Sequence, residues 1–299
     1  LMASLEQLIK EKSNRLNDIP LELQSVVIKQ QKQVLDEILS LLNELDVKNG
    51  SIVISKENLK TIQIISDDLK KVFLNDEYLK SVKEFAKEFD KQAILNNEVI
   101  NTGLGEIASP IASEAYIQTA KRSAVTALVN TNEFITPIQS VLENAVVNGA
   151  SLKDTIDSIR VLAEGNDKLD SKILSYVKQI SNDSFAIADR SYTSIISEYL
   201  GNDWYYYAGG EKETTRCFCE ARVGNYYHYK EVEAWGDGKN LGDCNTGGGK
   251  WAGQIEGTNS STIYSYLGGY NCMHSLMPVS EIIVPDSDKE RVKKLGYID

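Results

Sequence analysis

The sequence predicts an α+β protein: a predominantly helical N-terminal two-thirds followed by a small Cys/His- and Gly-rich module of short β-strands. Two observations carry this. All four Cys, all three Trp and both His of the 299 residues lie after residue 200, with most of the Gly and Tyr. Before residue 200, apolar residues recur at helical spacing; after it, short aromatic runs alternate with glycine-rich loops.

The helical part reads in order. Leu5, Leu8, Ile9 and Leu16 form a stripe expected to stop near Pro20, because proline removes a helix hydrogen bond and clashes with the preceding turn. A second helix, 21–47, carries Val26, Val27, Val34, Ile38, Leu41, Leu42 and Leu45 and is expected to end at Asn49-Gly50. Residues 51–54 fit either a short strand or a connector. Ser55 is placed to cap a helix through about residue 72, and another follows over 77–95. Asn101 to Gly105 breaks the pattern as a hinge. Helical patterning resumes over 113–147, with Asn148-Gly149 as its stop. Ser151 and Asp154 form a capping-box-like start for a helix through Ala163. A last helical segment covers 170–200, with a break expected near Ser181-Asn182-Asp183, and Gly201 ends it.

From these shifts the expected divisions are a helical arm over 1–150, a further helical part over 151–200, a Cys/His-rich module over 201–285 and a charged surface tail over 286–299. The arm's apolar stripes are expected to complete themselves against other chains. The module is expected to survive deletion of residues 1–150.

In the module, Trp204 to Tyr207 and Tyr226 to Tyr229 read as strands, and Glu231 to Trp235 as a short helix. The three Trp read as core anchors and Arg216 as a pin for local carbonyls. Gly247-Gly248-Gly249-Lys250 lacks the order of a phosphate loop and reads as a flexible loop.

So little aliphatic content in a module of this length calls for a staple. The candidate metal set is Cys219, His228, Cys272 and His274, which would make a closed tetrahedral, structural zinc site. Three other readings stay open: cysteines buried in reduced form, a Cys219–Cys272 disulfide, and a catalytic Cys–His pair. Every staple reading requires Cys219 and Cys272 to lie close together.

Charge bounds the partners. A net charge of −11 leaves no overall basic footprint, so strong nucleic-acid binding is not expected. No run reaches the ~20 apolar residues of a membrane-spanning helix, and Leu1-Met2-Ala3-Ser4 lacks the basic and apolar regions of a signal peptide.

Several blocks resemble one phage family. Trp204-Tyr205-Tyr206-Tyr207-Ala208-Gly209-Gly210, followed by Thr215-Arg216-x-Phe218-Cys219, is similar to its entry motif. Gly224-x-Tyr226-Tyr227-His228 and Glu231-Val232-Glu233-Ala234-Trp235 resemble its middle segment, with Asn225 where the family has Lys. Trp251-x-Gly253, Gly257-Thr258-Asn259-x-Ser261-Thr262-Ile263 and Gly268-Gly269-Tyr270-Asn271-Cys272-x-His274 resemble its closing block. The family is that of the phage minor head, or head-morphogenesis, proteins of Mu F-like type, in the form found in phages of Bacteroidetes-like hosts.

The resemblance covers roughly residues 150–282. Met273 stands where the family often has a basic or polar residue, and Cys217 and Cys244 look like additions to the pattern. The resemblance implies a low-copy virion structural protein, not an enzyme, made in the host cytoplasm and residing in the phage head. Its implied work is capsid assembly, DNA packaging or ejection, its implied partners the portal and major capsid proteins, with self-association. Two alternatives stand beside it: a non-viral helical binding protein with a zinc-stapled module, and a Cys-dependent enzyme.

Overall fold

The computed structural model describes residues 4–105, 111–166 and 168–299. Its elements run α1 (Leu5–Leu42), β1 (Val47–Lys48), β2 (Ser51–Ile52), α2 (Lys56–Phe73), α3 (Asp76–Leu104), α4 (Ile111–Leu128), α5 (Asn132–Asn148) and α6 (Leu152–Glu164). Then follow β3 (Gly165–Asn166), β4 (Leu169–Asp170), α7 (Lys172–Tyr199), β5 (Trp204–Ala208), α8 (Cys217–Glu220), β6 (Tyr226–His228), α9 (Tyr229–Gly236), α10 (Ile263–Tyr266), β7 (Ser275–Val279) and α11 (Asp286–Lys294). Helices dominate the first two-thirds and the largest sheet lies in the last third, so the α+β class holds.

The described residues form two compact units. One takes residues 4–19, 86–105, 111–124 and 182–299; the other takes 20–85, 125–166 and 168–181. This overturns the divisions 1–150, 151–200, 201–285 and 286–299. Leu8, Leu95 and Val99 from the supposed arm share one core with Ala208 and Met277 from the supposed module. Removing residues 1–150 would therefore strip a wall from that core, so the module is not expected to survive the deletion.

In the unit of residues 20–85 and 125–181, the apolar stripes cover one another. Val27, Ile38, Ile62, Ile65, Leu142 and Ile159 are fully buried, and Phe73 meets both Tyr78 and Phe134 at 4.5 Å between ring centres. Much of each stripe is thus covered within the chain, while Leu21, Ile28, Leu59, Ile64 and Val147 stay exposed. Ser55 and Ser151 cap α2 and α6 by accepting the amides of Asn58 and Asp154, as their positions predict.

Several boundaries differ from the expectation. Helix α1 passes through Pro20 without stopping; buried Leu16, Leu23 and Val27 continue one face across it, and their packing outweighs the lost hydrogen bond. Asn49-Gly50 is the two-residue turn of a hairpin joining β1 to β2, with both residues left-handed, so residues 51–54 begin as a strand. Helix α3 continues to Leu104; Gly105 is left-handed, and the chain at 106–110 lies outside the described residues. The helix expected over 113–147 is two. The hydroxyls of Tyr176 and Tyr78 donate to the Ala127 and Leu128 carbonyls at 2.9 Å, capturing acceptors that a continuing ladder would use. Helix α7 runs unbroken through Ser181-Asn182-Asp183 and ends at left-handed Gly201.

In the other unit, β6, β5 and β7 form an antiparallel sheet with β5 central. Trp204 pairs with His228 and Val279, Tyr205 with Tyr227 and Pro278, and Tyr207 with Leu276. Alternation sends Tyr205, Tyr207 and Tyr227 to one face, into a core with Phe218, Trp235, Trp251, Cys219 and Cys272. It sends Trp204 to the other face, with Val279, Val284 and Val292. The tail is thus no loose surface segment: α11 seats Val292, fully buried, on the Trp204 face.

Candidate metal centre

Three of the four residues proposed from sequence come together. Cys219, Cys272 and His274 are all buried, and their ligand atoms lie within 4.8 Å of one another, a group that can hold a metal ion. The two sulfurs are 3.7 Å apart, although 53 residues separate them in sequence, as every staple reading requires.

Each ligand is positioned by identifiable contacts. Cys219 rides on α8, whose preceding residue, Arg216, donates to the carbonyls of Gly268 and Tyr270. That is the role expected for Arg216, and it ties the first ligand's turn to the segment leading to the second. Gly268 lies so close that a Cβ there would collide with both sulfurs. Arg190, buried on α7, donates one guanidinium nitrogen to the Cys272 and His274 carbonyls at 2.9 and 3.2 Å. Its Nε donates to the Ser265 carbonyl at 2.7 Å. The backbone on both sides of Met273 is thereby held to a helix.

His274 stands with Nδ1 3.8 Å from the Cys272 sulfur, while its Nε2 is buried with no hydrogen-bond partner among the described residues. The nitrogen that faces the sulfurs is Nδ1, and a metal taking its lone pair would fix the ring proton on Nε2. A Cβ at Gly209 would strike the His274 ring, and φ there is +149°, so glycine is doubly required.

The sulfurs differ in proton affinity. Cys219, holding its proton toward Cys272 and buried, is pushed well above the ordinary thiol range. Cys272 is pushed down as it accepts that hydrogen bond, against the cost of burial, with His274 and Arg190 adding to the effect. The Tyr207 hydroxyl donates to the Cys219 sulfur at 3.3 Å, and burial drives its phenol well above its usual value.

His228, the fourth residue of the sequence-based set, does not join. It pairs with Trp204 on β6 and so shares the opposite sheet face, one residue out of phase with Tyr227 and the sulfur core. There it stacks edge-on against Trp204 and caps α9, its Nδ1 accepting the Lys230 amide at 3.4 Å. Burial lowers its pKa.

Cys219 and Cys272 are not bonded to each other. The disulfide joins Cys217 to Cys244, with Cα atoms 5.5 Å apart. It pins α8 to the turn at Gly242–Cys244. The Cys217-x-Cys219 spacing invites grouping the two, but successive positions in a helical turn point in different directions. The Gly247–Gly249 run forms a tight turn closed by the Thr246 amide on the Lys250 carbonyl, and Trp251 then stacks on Phe218, ring centres 4.2 Å apart.

Two cavities of about 570 Å³ open in this unit, one beside the Cys217–Cys244 disulfide and one beside Tyr264. Neither is lined by Cys219 or Cys272. A nucleophilic thiol needs access to its substrate, so this geometry suits a ligand set better than a catalytic pair.

Compared with protein families, with curated proteins and with solved structures, the chain has no match.

Proposed function

We propose that this chain is a structural protein of a phage head, of the minor-head or head-morphogenesis type, whose aromatic module is held shut by zinc at Cys219, Cys272 and His274. One observation carries the reading: the blocks that resemble the family meet around one core, and most of their aromatic residues are spent on building it, while Trp204 and His228 line the opposite sheet face. Arg216 grips the Gly268 and Tyr270 carbonyls. Tyr205, Tyr207, Phe218, Tyr227, Trp235, Trp251 and Ile263 pack around the two sulfurs.

Zinc fits the donor set. Two thiolates at about 2.3 Å from a tetrahedral ion stand about 3.8 Å apart, against the 3.7 Å found. One imidazole completes a soft, nitrogen-and-sulfur environment of the kind that structural zinc sites use. The net charge of −11 suits a protein that works near packaged DNA without adhering to it. Its partners on this reading are the portal and major capsid proteins and sister copies.

Two measurements test the proposal. Peptides of this chain, at low copy, are expected by mass spectrometry in purified particles of a phage encoding it, and the chain should co-purify with portal protein. Absence from purified particles would refute the virion role. Elemental analysis should find about one zinc per chain, lost in Cys272→Ser; a zinc-free, fully folded chain would refute the staple.

A further inference from the structure

We infer that Tyr207 is the fourth ligand of the centre, its phenolate oxygen closing a set of two thiolates, one imidazole and one phenolate around a divalent ion. This rests on the zinc reading of the same site.

Structural zinc sites are four-coordinate, and the cysteines and histidine supply three donors. The fourth must come from the protein or from water. Water is disfavoured because all three ligands are buried and neither large cavity of this unit reaches the sulfurs. A protein donor is already in place. The Tyr207 side chain is completely buried, and its hydroxyl lies 3.3 Å from the Cys219 sulfur. Its ring stands 5.6 Å from the His274 ring, centre to centre.

An oxygen and a sulfur bound to one tetrahedral ion at about 2.1 and 2.3 Å stand roughly 3.6 Å apart, so a small shift brings the oxygen into place. The hydroxyl has a sulfur as its hydrogen-bond partner, an acceptor that holds a phenol weakly. A bound cation reverses the proton preferences of the groups around it, as it does for coordinated thiols and water.

The charges also close. Two thiolates and a phenolate bring three negative charges to an ion of charge two, leaving one to be balanced. The guanidinium of Arg190, buried and bonded to the carbonyls of both Cys272 and His274, supplies the balancing charge. Farther out, Arg216 and Asp183 add one charge of each sign, as do Arg222, which acts on Tyr207 and Cys219, and its neighbour Glu231. The strand geometry makes the assignment specific. Tyr205 faces the same side of β5, yet its hydroxyl is bonded to Ser197 Oγ at 2.9 Å, so of this pair Tyr207 alone meets sulfur.

The test uses the full chain, stripped with a chelator without reductant so that the Cys217–Cys244 bond stays intact, then titrated with Zn²⁺ alone. Wild type should show thiolate-to-metal absorption together with the near-ultraviolet difference band of an ionised tyrosine. Tyr207→Phe, which keeps the ring and its packing, should lose the tyrosinate band. It should also release one proton fewer per metal and bind Zn²⁺ at least about tenfold more weakly in chelator competition, the lower end of what losing a supporting group costs. Tyr205→Phe should behave as wild type.

If wild type binds Zn²⁺ with no tyrosinate band, and Tyr207→Phe binds equally tightly, the fourth-ligand assignment is wrong and the staple stands. If wild type shows no thiolate-to-metal absorption at all, the staple reading itself fails.

Discussion

The two compact units bury different chemistry. In the unit of residues 20–85 and 125–181, the buried polar residues among those described are neutral: Gln24, Gln30, Gln31, Asn58, Ser66, Thr131, Thr155, Ser171 and Ser181. In the unit that carries the candidate metal centre, Lys12, Asp189, Arg190, Arg222, His228, Glu231, His274 and Asp288 are buried as well. Every described buried charged group lies there. Aliphatic packing is forgiving of order and identity, whereas a buried charge tolerates few arrangements. The contrast teaches that one unit is held by area, whereas the other adds charge pairing to its aromatic core, and the candidate site sits in the paired one.

The sharpest way to break this comparison is Lys12→Met. Lys12 Nζ is 3.2 Å from Asp189 Oδ1 and donates to Thr193 Oγ1 at 3.0 Å. Asp189 also accepts from Gln92 at 2.9 Å and from Ser275 Oγ at 2.8 Å. Removing the ammonium leaves a carboxylate in a dry site, a loss of about 3–5 kcal/mol of stability by denaturant unfolding. Lys12→Met with Asp189→Asn should recover part of that loss. If the single variant costs no more than a surface change, pairing does not hold this unit.

The matching test in the other unit is Ile65→Ala, which opens a cavity at a fully buried position. A loss of roughly 2–5 kcal/mol is expected. Cys219, Cys272 and His274 all belong to the other unit, so Zn²⁺ affinity of the folded variant should be unchanged. A parallel fall in affinity would show that the two units do not act separately.

The smallest expected effect sharpens the role of His228. Burial depresses its folded pKa below the ordinary 6.5. Between the folded and unfolded values the unfolded chain binds the proton more readily. Stability is therefore complete above about 6.5 and falls as pH drops through that window. His228→Asn keeps a side-chain acceptor at the α9 cap and should flatten that part of the pH–stability curve. An unchanged slope would assign the acid sensitivity to another group.

Much of this was legible in the amino-acid sequence, and the failures share a cause. The caps at Ser55 and Ser151, the strands at Trp204 and Tyr226 and the proximity of Cys219 to Cys272 follow from local rules or from the need for a staple. Lys12 was not legible, because a lysine between Leu8 and Leu16 reads as a solvated position until Asp189, 177 residues later, is set beside it. His228 failed for want of register: a single residue's offset moves it to the opposite face of the sheet. Cys217 and Cys244 looked incidental because nothing local joins positions 27 apart. Pro20 misled because its penalty is local while the packing that offsets it is not.

The chain's passage between the units has a mechanical meaning. It crosses from one unit to the other inside α1, α3, α4 and α7, and residues near 4 and near 299 belong to the same unit. Tension applied across that span therefore shears residues 4–19 against 182–299 first, with the Lys12–Asp189 tie directly in the load path. Under traction that tie gives way together with the core that Leu8 shares with Ala208 and Met277, so polar and apolar contacts carry the load side by side.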